Sequence, residues 1–107
     1  MSWKPFDLMF FLSRIDINGT TDSEADVVAQ YNLDDDADLD RLMKEWIRPD
    51  FDENNSITKA HGSAILEASR SWSEDQMKPV FNQVLLASGQ RIANIGRFMA
   101  ALRKELL

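Results

Sequence analysis

The chain of 107 residues contains no cysteine and only one histidine, His61. Disulfides, thiol catalysis and cysteine-ligated zinc are therefore excluded, and a single imidazole supports neither a nucleophilic triad nor a histidine-based metal site. No run approaches the roughly 20 apolar residues that a membrane span requires, and the apolar stretch from Phe6 to Leu12 lacks a signal-peptide cleavage site. We therefore expect a cytoplasmic protein that is not an enzyme and needs no cofactor or membrane.

Apolar residues recur at helical spacing along almost the whole chain, and no segment alternates long enough to predict a strand. With 44% hydrophobic residues, the chain has enough apolar surface for one core, while its length leaves no room for a second. We therefore expect one all-α domain over residues 1–107, folded as a compact bundle of about five helices.

Capping signals and a proline set the expected boundaries of several helices. Thr21 with Glu24, and Ser73 with Gln76, have the capping-box spacing that begins a helix. Pro49 should end the third helix, because the residue before a proline is pushed out of helical geometry.

The C-terminal third should contain two helices separated at Gly89. Pro79 fits poorly into a helix that begins at Glu74, because its ring would crowd the carbonyl of Asp75, so we expect a kink or a later start. The last helix should carry an apolar seam formed by Ile92, Ile95, Met99, Leu102 and Leu106. Such a seam is typical of a core-facing bundle helix and also of a coiled coil. The chain could therefore be a monomer, or a structural subunit that forms a homodimer through this helix.

Acidic residues concentrate in one part of the chain. Positions 16–55 hold 13 acidic and three basic residues, a local net charge of −10, whereas the whole chain carries −6. This composition disfavours direct nucleic-acid binding, which needs clustered Lys and Arg, and favours a basic protein partner. We therefore expect a non-catalytic, neutralising inhibitor of the immunity or antitoxin type, whose target could be a nuclease or another nucleic-acid-binding protein.

Two groups of acidic side chains are expected to contact this partner. They are Asp34, Asp35, Asp36, Asp38 and Asp40, with Asp50, Asp52 and Glu53 as a second patch. Trp46 could add affinity if it is exposed, since tryptophan is enriched among binding hot spots. Its place on the apolar stripe of the third helix favours the core.

The 12 residues from Asp50 to His61 resemble the calcium loop of the EF-hand family. The residues that match the ligand positions are Asp50, Asp52, Asn54, Ser56, which would offer its backbone carbonyl, and Thr58, at the position that usually holds a water. Position twelve is His61 where the family has a bidentate Glu, and position six is Asn55 where it has Gly. The resemblance implies a helix-loop-helix around residues 42–66 and, as an alternative function, a degenerate calcium-binding helix pair.

Overall fold

The structure is a computed structural model that describes residues 2–107. Within this range all regular structure is helical, so the all-α prediction is confirmed. The helices are α1 (Met9–Leu12, after a 3-10 turn over Pro5–Leu8), α2 (Asp22–Val28), α3 (Asp36–Leu42), α4 (Arg48–Asp52), α5 (Ser56–Ala68, followed by a 3-10 turn over Ser69–Ser71), α6 (Glu74–Phe81) and α7 (Ile95–Leu106). None of the helices described in residues 2–107 is long and apolar enough to cross a membrane.

Side-chain caps begin α2, α3, α5, α6 and α7, and the two predicted capping boxes are both formed. The hydroxyl of Thr21 accepts the backbone N–H of Glu24, whose carboxylate accepts the backbone N–H of Thr21 at 2.9 Å. Ser73 and Gln76 make the same pair of bonds at α6. The remaining caps are Asp35, Asn55 and Asn94. These starts are local in origin, because each cap satisfies backbone donors within three residues.

Pro49 does not end the third helix, contrary to the prediction. α3 continues through a π-helical segment, Met43–Ile47, into α4, where Pro49 is the second residue. The wider turn is seen at Arg48, whose backbone N–H bonds to the carbonyl of Met43. A proline removes one donor and crowds the carbonyl four residues before it in an α-helix. The wider π turn lets the chain accommodate the ring while its dihedral angles stay helical.

α6 begins at Glu74, as the capping box indicates, so of the two expected alternatives, a kink or a later start, the later start is wrong. Pro79 lies inside the helix, which ends at Phe81, two residues further on. The helix therefore tolerates the proline only in its last turn.

The segment around Gly89 is a loop over residues 82–94 and not the end of a helix. Gly89 has a φ of +86°, and its N–H bonds to the carbonyl of Leu86. α7 begins at Ile95, so Ile92 precedes it. Leu86 and Ile92 are buried although they lie in the loop. The apolar spacing here reports burial and not helical geometry, which is why the predicted boundaries are wrong.

The apolar seam at the C-terminus packs into the core of its own chain. Met99 is 1% exposed and Leu102 is fully buried, while Ile92 and Ile95 are each 9% exposed. Leu106 is partly buried against the same core. The chain therefore covers most of the apolar surface that a homodimer through this seam would use, and the oligomeric state stays a prediction.

Candidate functional site

The five clustered aspartates lie at the start of α3, and two of them accept hydrogen bonds from backbone N–H groups there. Asp35 accepts the backbone N–H groups of Ala37 and Asp38 at 2.8 and 3.4 Å and so caps the helix. Asp38 accepts the backbone N–H of Asn32 at 3.0 Å, which ties the preceding loop to α3. Replacing either aspartate would disturb the fold as well as the surface charge.

Basic side chains of the chain neutralise part of this cluster. Arg97 of α7 lies 2.6 Å from Asp36 and also donates to the carbonyl of Leu33 at 2.6 Å. Lys44 lies 2.9 Å from Asp40. Asp34 is exposed and has no ion pair within the described residues 2–107. The free charge of the cluster is therefore smaller than the sequence alone indicates.

The second patch lies at the end of α4 and is also partly paired. Asp50 is 3.0 Å from Arg14, and Asp52 is 3.5 Å from both Arg48 and Lys59. Glu53 follows α4, is exposed, and makes no ion pair in the part of the chain that the structure describes. Glu53 thus provides an unpaired carboxylate at the edge of this patch.

A groove of about 280 Å³ beside Trp46 brings together acidic residues from different parts of the chain. Its lining residues are Arg14, Glu24, Glu45, Trp46, Pro49, Asp50 and Glu53. Four carboxylates and one guanidinium give these side chains a net charge of −3. Trp46 is half-buried, and its indole N–H donates to the carbonyl of Arg14 at 2.8 Å, which holds the ring against the core. We call this surface the tryptophan groove.

Arg14 orders one wall of the tryptophan groove. Its guanidinium lies 3.0 Å from Glu24 and 3.0 Å from Asp50, so one cation holds two carboxylates. The pKa of Glu24 is lowered, first by the hydrogen bond from the Thr21 backbone and then by the Thr21 hydroxyl, with a smaller contribution from Arg14. Glu24 therefore keeps its negative charge below the usual pH range of a glutamate.

Glu45 forms the other wall, in a network with Tyr31 and Arg41. The Tyr31 hydroxyl donates to Glu45 at 2.9 Å, and the Arg41 guanidinium donates to both carboxylate oxygens at 3.3 Å. These bonds lower the pKa of Glu45, that from Arg41 most strongly. The pKa of Tyr31 is raised by its burial and then by the bond to Glu45.

The sequence did not single out Arg14, Glu24 or Glu45 as site residues. Its pattern indicates Glu24 as a capping residue and gives Glu45 no role. Their meeting depends on how the segment after α1 packs against the π-helical segment, as the bond between Trp46 and the Arg14 carbonyl shows. No local pattern encodes such a contact.

The residues matched to an EF-hand loop do not form one. Asp50 and Asp52 lie in α4, whereas Ser56 and Thr58 lie in α5, so that the helix-loop-helix around residues 42–66 has only a short turn. The Asn54 side-chain N–H₂ donates to the carbonyls of Asp50 and Phe51 at 3.1 Å and closes α4. No group of three or more His, Cys, Asp or Glu within residues 2–107 is placed to hold a metal ion. The chain is therefore helical at Asp50 and Asp52, where the EF-hand resemblance implies a loop, and calcium binding by this helix pair stays a sequence-based alternative.

The tryptophan groove has the chemistry of a binding surface for cations. Its lining offers carboxylates, a guanidinium, an indole and a proline ring, and no hydroxyl, amine or imidazole side chain. His61, the single histidine, packs on Trp3 with ring centroids 5.6 Å apart, away from this lining. Comparison with protein-family models, curated proteins and solved structures gave no match.

Proposed function

We propose that this protein is a non-catalytic binding module whose acidic surface engages a basic protein partner, as a neutralising inhibitor of the immunity or antitoxin type. The observation that carries the proposal is the net charge of −10 between positions 16 and 55. The partner class that fits is a nuclease or another protein with a basic groove for nucleic acid. Carboxylates can occupy the positions where such a groove ordinarily meets phosphates, because electrostatic complementarity steers the encounter of two proteins.

Different parts of the acidic surface can attract the partner during its approach and contact it once it is bound. Asp34 and Glu53 are exposed and unpaired within residues 2–107, so their field extends into solvent. Half-buried Trp46 lines the tryptophan groove together with Glu45 and Asp50. A guanidinium over an indole face contributes about 0.5–2 kcal/mol, more where water is excluded. We therefore expect an arginine side chain of the partner to enter this groove.

Internal ion pairs also support this role, because they hold the acidic side chains in place before binding. Arg14 fixes Glu24 and Asp50, and Arg41 fixes Glu45. A carboxylate that is already ordered loses less rotamer entropy when a partner binds it. The pairs lower the net charge but improve the preorganisation of the groove.

The proposal can be tested with a triple variant that removes charge without removing a cap. Asp34→Asn, Asp36→Asn and Asp40→Asn change the cluster but retain Asp35 and Asp38, which bond to backbone N–H groups. The matched control removes three charges outside positions 16–55, from exposed residues. It carries Glu67→Gln, Glu74→Gln and Asp75→Asn.

The measurement is the association rate with a basic protein that has been isolated as a stoichiometric complex with the wild-type chain. Rates are compared at about 10 mM and about 150 mM salt, where the Debye length is about 30 Å and about 8 Å. We expect the triple variant to associate roughly tenfold more slowly at low salt, with a weaker salt dependence, and the control to match the wild type. An unchanged rate for the triple variant at low salt would exclude the acidic cluster as the binding surface.

A further inference from the structure

A second groove lies where the C-terminal ends of α5 and α7 meet. Its volume is about 590 Å³, within the range of about 300–1,000 Å³ of small-molecule sites. The lining residues are Glu67, Arg70, Ala100, Arg103, Lys104 and Leu107. Three cationic side chains meet the Glu67 carboxylate and the terminal carboxylate of Leu107 here, so the lining is cationic overall, unlike that of the tryptophan groove. We call this surface the basic groove.

Arg103 is held in position without a carboxylate partner. Its Nε and Nη2 donate to the Ser69 hydroxyl at 3.1 and 2.9 Å, and Nη2 also donates to the Ser69 carbonyl at 3.1 Å. Ser69 is fully buried, so the guanidinium is anchored to a rigid part of the fold. Burial lowers the pKa of Arg103, and the positive charge of Arg70 lowers it further. The carboxylate of Glu67 raises this pKa in part, and the negative charge of an anion in the groove would act in the same direction.

The cations that neighbour Arg103 can also interact with such an anion. Arg70 pairs with Glu67 through its Nε at 3.1 Å, and its side chain is 56% exposed. Neither Lys104 nor Arg103 has an ion pair within 4 Å in the described part of the chain, and the same is true of the terminal carboxylate of Leu107. By contrast, Arg14 and Arg97 pair closely with carboxylates. Of the five cations without an ion pair in residues 2–107, Arg103 and Lys104 line this same groove, whereas Lys4, Lys78 and Arg91 lie outside its lining.

We propose that the basic groove binds a small molecule through a phosphate monoester group. A phosphate monoester carries a charge of about −1.5 to −2 at pH 7 and offers three oxygens, which suits two guanidinium groups and one ammonium. The groove is much larger than a phosphate ion, and Ala100 and Leu107 provide apolar surface for an organic part of the ligand. Inorganic phosphate can contact the same cationic side chains, but it has no organic part to contact Ala100 and Leu107.

The test is a calorimetric titration with glycerol 3-phosphate, inorganic phosphate and neutral glycerol, at constant ionic strength set by sodium chloride. The variant carries Arg70→Gln and Lys104→Gln, which retain Arg103 and its bonds to Ser69. A matched control, Lys4→Gln with Lys78→Gln, removes two exposed positive charges elsewhere. Thermal melts of the three proteins without ligand establish that each is folded.

We expect saturable binding of glycerol 3-phosphate that is tighter than that of inorganic phosphate, with no binding of glycerol. The groove variant should bind the ester about tenfold more weakly or worse, since hydrogen bonds to charged groups are strong, whereas the control should match the wild type. Equal affinities in all three proteins, or no saturable binding of the ester, would overturn the proposal. Equal affinity for inorganic phosphate would overturn its monoester specificity, and tighter groove-dependent binding of a single-stranded oligonucleotide would replace the small molecule by nucleic acid.

Discussion

Replacing Gly62 with alanine should destabilise this protein, although the same change usually stabilises a helix. Gly62 is buried inside α5, and a Cβ there would lie 2.7 Å from Phe51, 3.0 Å from Phe10 and 3.3 Å from Phe11. These rings pack on one another, with centroids 4.9 Å apart for Phe10 and Phe11 and 6.1 Å apart for Phe11 and Phe51. A ring that retreats from the new methyl group must therefore displace its neighbours.

The expected magnitude is the difference between two effects. Alanine is favoured over glycine in a helix interior by about 1 kcal/mol. Forcing an extra methyl group into a packed core costs about 1–3 kcal/mol. The net loss in the free energy of unfolding should be about 1 kcal/mol, which lowers Tm by about 4–8 °C in a domain of this size. Gly62→Val should lose more, because valine adds two further methyl groups and has a lower helix propensity.

Urea and thermal unfolding of Gly62→Ala, Gly62→Val and a control variant would measure these effects. The control is Ala60→Gly, an exposed position in the same helix, which should lose about 1 kcal/mol from propensity alone. If Gly62→Ala melts above the wild type while Ala60→Gly melts below it, α5 does not pack on the phenyl rings as described.

Two further predictions concern the core and the acidic network. Leu102→Ala should lower the free energy of unfolding by about 2–5 kcal/mol, because Leu102 is fully buried. The Tm of the wild type should not depend on protein concentration, whereas a dependence would show that the chain forms oligomers. The lowered pKa values of Glu24 and Glu45 contribute stability above the ordinary value of 4.5 that is lost as the pH falls through the folded values. The raised pKa of Tyr31 contributes stability below the ordinary value of 10.0 that is lost as the pH rises through the folded value. The free energy of unfolding, measured with urea, should therefore decrease towards both acidic and alkaline pH. If it decreases equally towards acidic pH in the wild type and in Glu45→Gln, the assigned role of Glu45 is contradicted.

The paired aspartates change how the charge of the chain should be understood. Arg14 precedes positions 16–55 and Arg97 follows them in the sequence, and in the folded structure they reach Asp50 and Asp36. Basic side chains from outside the acidic segment therefore neutralise some of its carboxylates in the folded structure. Asp34 and Glu53 have no such pair within residues 2–107, which makes them the sharper targets for mutation.

The sequence by itself determined the helical class and the start of two helices. Capping is local, since Thr21 and Ser73 each bond to a residue three positions later, and such pairs can be recognised from spacing alone. The excess of acid between positions 16 and 55 is likewise a property of composition.

Only the tertiary structure decided where the helices end and where the charges are free. The chain remains helical past Pro49 through a π-helical turn, and it forms a loop around Gly89 in spite of apolar spacing. Both results depend on packing, because apolar periodicity records which side chains are buried and not the backbone angles that bury them. The tryptophan groove has the same origin: Arg14, Glu24 and Asp50 meet because the segments that carry them pack together, and no local spacing in the sequence specifies that contact.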